Sequence, residues 1–323
     1  MSLSYEFSIG SVRAKEKSLL TMSDIEQMIG MKTEAEIVRF LKDKGFGDGE
    51  TIDEIIVSNT DKMWKYIRGV APNMEVFSPF YLQNDIHNLK TLLKAVMADR
   101  EYKDLLMYPV SVDVKLLLNA VENGKFDKLP QWLSYAAQKA YKLLAQTNDA
   151  RLSDAVIDCA ALKKMLDEGR RSRSEYLYSY FESIAFYSNV KVAIRGARTN
   201  SSADYLKTAL CEMDGFDKSA VIPKALTGTE NLLKYFEKLD TCDCNKAMAA
   251  FRENPGEFEK FIDNRLIKLA KTMCKLKCEG PEPLLGYYTA CEYERKAVHI
   301  ISGGIVTHTP PEKIRERLRE IYG

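Results

Sequence analysis

The sequence predicts an all-α protein, and three observations carry that reading. Apolar residues recur at helical spacing along almost the whole chain, with little sustained period-two alternation. Helix-start signals recur as well. Ser23-Asp24-Ile25-Glu26, Thr33-Glu34-Ala35-Glu36 and Thr309-Pro310-Pro311-Glu312 each set a hydroxyl three residues before a carboxylate, the spacing that satisfies two orphan amides at a helix start. A helical signature also returns three times, at intervals of about a hundred residues.

Helices are expected to open at Ser23 and Thr33, with Gly45 and Gly47 breaking the chain after them. The first signature, Asn88-Leu89-Lys90-Thr91-Leu92-Leu93-Lys94-Ala95, follows Phe77, Phe80 and Tyr81. The middle stretch opens at Ser111-Val112-Asp113-Val114-Lys115-Leu116-Leu117-Leu118, and Gly124 and Gly169 read as connectors. The second signature, Asn189-Val190-Lys191-Val192-Ala193-Ile194-Arg195-Gly196, starts 101 positions after the first (189 − 88) and follows Tyr176, Tyr178, Tyr180 and Phe181. Thr229-Glu230-Asn231-Leu232-Leu233-Lys234-Tyr235-Phe236 then repeats the pattern of Thr33 to Phe40 at an offset of 196 (229 − 33), past a break at Gly215. The third signature, Ala297-Val298-His299-Ile300-Ile301-Ser302-Gly303-Gly304, starts 108 positions after the second (297 − 189). It follows the Gly280-Pro281-Glu282-Pro283 break and the Tyr287-Tyr288 pair, with Ala297 and His299 where the other copies have Asn and Lys. Aromatics at such spacing read as interhelix anchors. The last helix sets Ile314, Leu318 and Ile321 on one face, with Arg315, Arg317 and Arg319 largely off it.

This period divides the chain into three similar helical bundles, residues 1–100, 101–205 and 206–323, the last ending in the C-terminal amphipathic helix. Three copies of one unit fit a scaffold better than an enzyme, which needs one pocket. An adaptor binding partners on a concave surface is the alternative, but solenoid units run ~20–50 residues.

Composition narrows the function classes. At 323 residues the chain can bury about three quarters of its unfolded surface. Its 47 basic and 46 acidic side chains nearly cancel, leaving no global field for nucleic acid. No stretch of about twenty apolar residues is present to span a bilayer. Residues 1–17 lack the apolar middle of a secretion signal, and the odd count of seven scattered cysteines fits reduced thiols, so a cytoplasmic location is expected.

Motifs for chemistry are missing from this sequence. There is no Gly-rich loop ending in Gly-Lys-Ser/Thr, and Ser302-Gly303-Gly304 reads as a helix break. Cys242-Asp243-Cys244 and Cys274-Lys275-Leu276-Lys277-Cys278 do not form paired zinc knuckles; Cys274 and Cys278, four apart on one helical face, are spaced as core cysteines. His87, His299 and His308 are isolated, in no His-Glu-x-x-His pattern. No catalytic residue, cofactor or metal is therefore expected. Candidate partner-binding residues are the basic cluster Arg170, Arg171 and Arg173, together with Arg315 and Arg319 of the last helix.

Three C-terminal passages carry a family resemblance: Gly280 to Tyr288, Glu294 to Ile301, and Pro311 to Tyr322, joined at the start of the chain by Tyr5, Val12-Arg13-Ala14-Lys15-Glu16 and Leu19-Leu20. Together they resemble the C subunit of the V-type ATP synthases of archaea and bacteria, the counterpart of the d subunit in the eukaryotic vacuolar proton pump. The resemblance spans essentially the whole chain and is strongest in the tail. It implies three similar helical domains in a pseudo-threefold funnel, a non-catalytic rotor part that receives the central shaft of the ATP-hydrolysing head and sits on the membrane proteolipid ring. The chain is then a monomer within a hetero-oligomeric complex that moves protons or sodium ions, peripheral to the membrane. One departure stands out. The family's last signature carries an Asn-apolar-Arg step where this chain has Ala297-Val298-His299, so the third copy is expected to keep its helix and packing but lose the polar contacts of the other two.

Overall fold

A computed structural model describes residues 4–323; Met1–Leu3, the start of the stretch read for a secretion signal, lie outside the described residues. Sixteen α-helices account for most of the described chain, and its only β-pairing is one isolated bridge between Met213 and Phe216. The chain opens with α1 (Tyr5–Glu16), α2 (Met22–Ile29), α3 (Glu34–Asp43) and α4 (Ile52–Val70). Next come α5 (Ser78–Ala98), α6 (Val114–Asn123), α7 (Gln131–Thr147), α8 (Ala150–Arg171), α9 (Glu175–Arg198), α10 (Ala203–Ala209), α11 (Lys218–Leu226) and α12 (Thr229–Phe236). Four more helices end it: α13 (Cys244–Glu253), α14 (Pro255–Cys274), α15 (Glu282–Val306) and α16 (Pro311–Arg317). The all-α expectation holds, and no helix is long and apolar enough to cross a membrane among the described residues.

Local sequence explains most of the helix ends, and corrects three expectations. Thr33 caps α3 by accepting from the Glu36 amide, while the Glu36 carboxylate reaches one residue further back, to the Lys32 amide. For α2 the cap is Thr21, not Ser23: Thr21 and Asp24 close a reciprocal box on each other's amides. At the last helix Thr309 makes no cap; its hydroxyl meets Thr307, and Pro311 begins α16 with the fixed φ that suits a first turn. Gly169 is not a connector but lies inside α8, where a Cβ would stand 3.2 Å from the Tyr178 Cα, so its bareness lets the start of α9 close on α8.

The chain divides into two compact units, one of the described residues up to Met74 together with Ala249–Gly323, the other of Glu75–Met248. Residues 100 and 205, where the repeat spacing sets its boundaries, both fall inside the second unit.

In the first unit α15 is the central element. It is buried on nearly every side, packed against α1, α2, α3, α4, α14 and α16. Ala297, Val298 and Ile301 of α15 share one apolar cluster with Ile25, Met28 and Ile29 of α2, Ile37 and Leu41 of α3, and Ile314 and Ile321. Trp64 and Tyr66 of α4 stack against Tyr288 and Tyr287, at 5.2 and 5.4 Å between centroids. Arg13 of α1 donates to the Cys274 and Lys277 carbonyls, closing the C-terminal end of α14 with a cation where helix carbonyls have no intrahelical donor.

The tail differs from a continuous helix. α16 ends at Arg317 and the chain runs on extended, burying Ile321 and Tyr322. Asn264 accepts from the Glu320 amide, and Lys275 donates to the Tyr322 carbonyl. Those side chains substitute for the helical bonds given up.

Two charged groups lie deep beside this core. Arg295 donates to Asn59 at 2.9 Å and pairs with Glu292. Glu294 accepts the Leu20 amide, at the join between α1 and α2. Burial pushes its carboxyl up to about 8, against the pull of that amide and of Arg295. The native state thus keeps a proton that the unfolded chain, with a carboxyl at ~4.3, releases. Its contribution is full below that unfolded value and is lost as pH rises through about 8. Glu294→Gln keeps an acceptor for Leu20 without a titrating group. Thermal melts are expected to match wild type near pH 4 and to rise progressively above it towards pH 8.5; a gap that does not change with pH would contradict a protonated Glu294.

Candidate functional site

The signature residues of the first two repeats perform one task. In the second unit, Asn88 on α5 donates to the Met107 carbonyl at 2.9 Å and accepts the Met107 amide at 2.8 Å. Asn189 on α9 does the same to Cys211, at 2.8 Å for both bonds. Each amide satisfies both polar groups of one residue, 19 positions ahead in the first case (107 − 88) and 22 in the second (211 − 189). At buried Cys211 these groups would otherwise have no partner, and at the more exposed Met107 the same two bonds fix the path of the loop. At the third signature Ala297 is buried among Val298, Ile301 and Ile314: the helix and its packing remain, with an apolar contact in place of an amide.

Around Asn88 the grip is extended by neighbours the sequence reading passed over. Asp85, one turn earlier and buried, accepts the Ser111 and Val112 amides at 2.9 and 3.1 Å, and the Ser111 hydroxyl. Burial raises its carboxyl pKa, and those bonds oppose the rise. Asn84 donates to the Pro109 carbonyl at 2.8 Å, and His87 Nε2 lies 2.8 Å from the Leu105 carbonyl, which fixes the ring proton on that nitrogen. The signal was available: 84, 85 and 88 follow helical spacing and put polar residues in an otherwise apolar stripe. The loop so held presents Leu105 at 58% and Met107 at 48% exposure, whereas Cys211, held in the same way, is 3% exposed and its neighbour Leu210 1%.

The basic positions of the repeat diverge. Lys90 and Lys94 of α5 pair with Asp158 and Asp154 of α8, at 2.7 and 3.1 Å. Lys191 is half-buried on α9, and His299 is exposed on α15. Between α5, α8, α9 and α10 lies a cleft of about 560 Å³, lined among others by Lys90, Asp154 and Asp158 and by two arginines the sequence reading did not single out, Arg151 and Arg195.

The five candidate arginines are divided between the units. Arg170 pairs with Asp214 at 2.7 Å and lies over the Tyr178 ring; Arg171 is exposed beside Glu168, and Arg173 is exposed at the α8–α9 turn. Arg315 holds Glu26 of α2 through two nitrogens, and Arg319 pairs with Asp263 of α14 at 2.9 Å. Asp263 also holds Lys296 at 2.7 Å; burial alone would raise its carboxyl, and the two cations bring it below the ordinary range. Arg315 and Arg319 thus fasten the C-terminal segment to its own unit. No cluster of three or more His, Cys, Asp or Glu suited to a metal occurs among the described residues. Cys274 is buried at the end of α14, and Cys278 lies beyond that end, exposed, so the two do not share a helical face.

Replacing either gripping amide leaves an N–H and a C=O without partners. Asn88→Leu and Asn189→Leu are each expected to cost ~1–3 kcal/mol in urea unfolding. Ala297→Asn, which adds an amide where none is held, is expected to destabilise as well, and a neutral result for all three would dissolve the common role.

Comparison with known proteins identifies the family. A family model described as ATP synthase (C/AC39) subunit matches residues 8–317. The C subunit of the V-type sodium ATPase of Enterococcus hirae is 20% identical over 322 residues, covering 96% of this chain and 97% of the relative. The C subunit of the A-type ATP synthase of Methanobrevibacter smithii is 26% identical over 326 residues, covering 90% and 82%, and that of Methanocaldococcus jannaschii 24% over 345 residues, covering 97% and 86%. With the family match extending across nearly all of its helices, the chain belongs to the ATP synthase (C/AC39) subunit family.

Proposed function

We propose that this chain is a non-catalytic rotor part that links the central shaft of the ATP-hydrolysing head to the membrane proteolipid ring, in a complex that moves protons or sodium ions. The observation that carries the reading is the family match over residues 8–317. The repeated grip supports it: α5 and α9 hold the segment that follows them by the same two bonds, as expected of duplicated parts of a scaffold. On this reading α5, α9 and α15 are equivalent helices of three similar bundles in a pseudo-threefold arrangement, and the protein works at the cytoplasmic face, peripheral to the membrane. Transmitting torque asks for stiffness, and close-packed helices deform little under load.

Omitting this protein from a reconstituted complex is expected to leave ATP hydrolysis by the head while abolishing ion movement coupled to it, measured as vesicle ion uptake beside phosphate release. Coupled uptake without it, or failure of the purified chain to bind both the shaft subunits and the ring, would refute the role.

A further inference from the structure

The cleft in the second unit combines two features that point to an occupant. Its first feature is unequal neutralisation of charge. Asp154 and Asp158, the lining carboxylates, are held by Lys94 and Lys90. Arg151 and Arg195 also line the cleft, and neither guanidinium has a carboxylate within ion-pair distance among the described residues. Arg195 stands at the same place in its signature as Lys94, six positions after the asparagine in each case (195 − 189 and 94 − 88). The first copy of this cation is neutralised by Asp154 and the third is replaced by Gly303, so the second alone of these positions offers an uncompensated charge to the cleft.

The second feature is how the arginines are set. Gly196 leaves room for Leu206, whose Cδ2 would lie 2.6 Å from a Cβ there, and this seats α10 against α9. α10 carries Tyr205, whose ring holds the Arg151 guanidinium at 5.2 Å, restraining it without cancelling its charge. At the same wall the Thr199 hydroxyl donates to the Arg195 carbonyl at 3.0 Å and accepts from Ser201 at 2.9 Å, so these two hydroxyls are engaged with the chain and the arginines are the charged donors left. Ile86, Met165 and Val192 give the cleft an apolar part. A free polyanion gains nothing from that apolar part. A peptide carrying a carboxylate beside apolar side chains uses both.

We infer that this cleft is a socket for an acidic segment of a partner protein, its carboxylates meeting Arg151 and Arg195. The inference rests on the rotor reading in that the partner belongs to the rotor. Cations not already paired within their own chain can form new pairs without breaking old ones, and such pairs set orientation and exclude wrong registers. A joint that carries torque needs that fixed register.

The test compares wild type with Arg151→Glu/Arg195→Glu, using the detached head with its central shaft and the detergent-solubilised proteolipid ring as separate probes. Lys115→Glu, at an exposed lysine of α6 in the same unit that does not line the cleft, serves as control, with circular dichroism and melting to show that all three proteins fold. Wild type is expected to bind both probes, and one of them through the cleft, with a Kd that weakens as salt rises. The double reversal is expected to weaken it roughly 100-fold and flatten the salt dependence, Lys115→Glu leaving both unchanged. Equal binding by wild type and a folded double reversal overturns the socket while leaving the rotor role standing. Titration with pyrophosphate gives a further arm: saturable binding lost in the double reversal, with partner binding unaffected, overturns the socket in favour of a small-anion site. If wild type binds neither probe, the rotor role fails and the socket falls with it.

Discussion

Two hydrogen bonds from a buried side-chain amide to the backbone of one residue set the form of the second unit. α5 and α9 are buried over much of their surfaces, and the chain leaving each helix turns back along it, exposed after α5 and buried at Leu210 and Cys211 after α9. Asn88 and Asn189 satisfy a carbonyl and an amide at once, so the returning segment takes one register against the helix. Asp85 extends the same hold to Ser111 and Val112, next to the cap of α6. The first unit meets the corresponding demand by other means. Arg13 closes the carbonyls at the end of α14, and the apolar environment of Ala297 needs no polar partner.

The repeat's sameness and its differences do separate things. What is shared between α5 and α9 fixes backbone. What differs lies at the surface they help to enclose, where Lys94 is neutralised by Asp154 and Arg195 is not. The loop after α5 likewise exposes Leu105 and Tyr108 where the segment after α9 buries Leu210 and Cys211. The shared contacts supply the frame, and the differences at its rim give the two helices distinct surroundings.

Helical periodicity and the spaced signatures were legible because they depend on local geometry and on residue types repeated in register. Asn88 and Asn189 stood out for that reason, though their bonding did not, since Met107 and Cys211 lie about twenty residues away with no pattern linking them. Helix starts were legible to within a turn. Thr21 displaced Ser23 because both hydroxyls precede a carboxylate at workable spacing, and only the path of the backbone chooses between them. Glu294 and Arg295 were read as part of a family passage and not as buried charges, because burial comes from helices more than two hundred residues away. Arg315 and Arg319 looked like free surface cations for the same reason: Glu26 and Asp263 are distant in sequence. Arg151 went unnoticed because its significance depends on Tyr205 and on Arg195, neither of them local.

The division of the chain also sets an order in time. The first unit is assembled from both sides of Glu75–Met248, so the apolar faces of α2 and α3, which can meet Phe46, Ile52 and Ile55 early, lack the rest of their core until Ala297, Val298 and Ile301 have been made. At about 5–20 residues per second, the ribosome takes roughly 10–50 s to travel from α3 to α15. During that interval the second unit has its whole sequence and can close. Ile25, Met28, Ile37 and Leu41 wait in water or under a chaperone. The first helices to be synthesised are thus among the last to be buried, and a pause or truncation late in the message strands them in the form most open to aggregation.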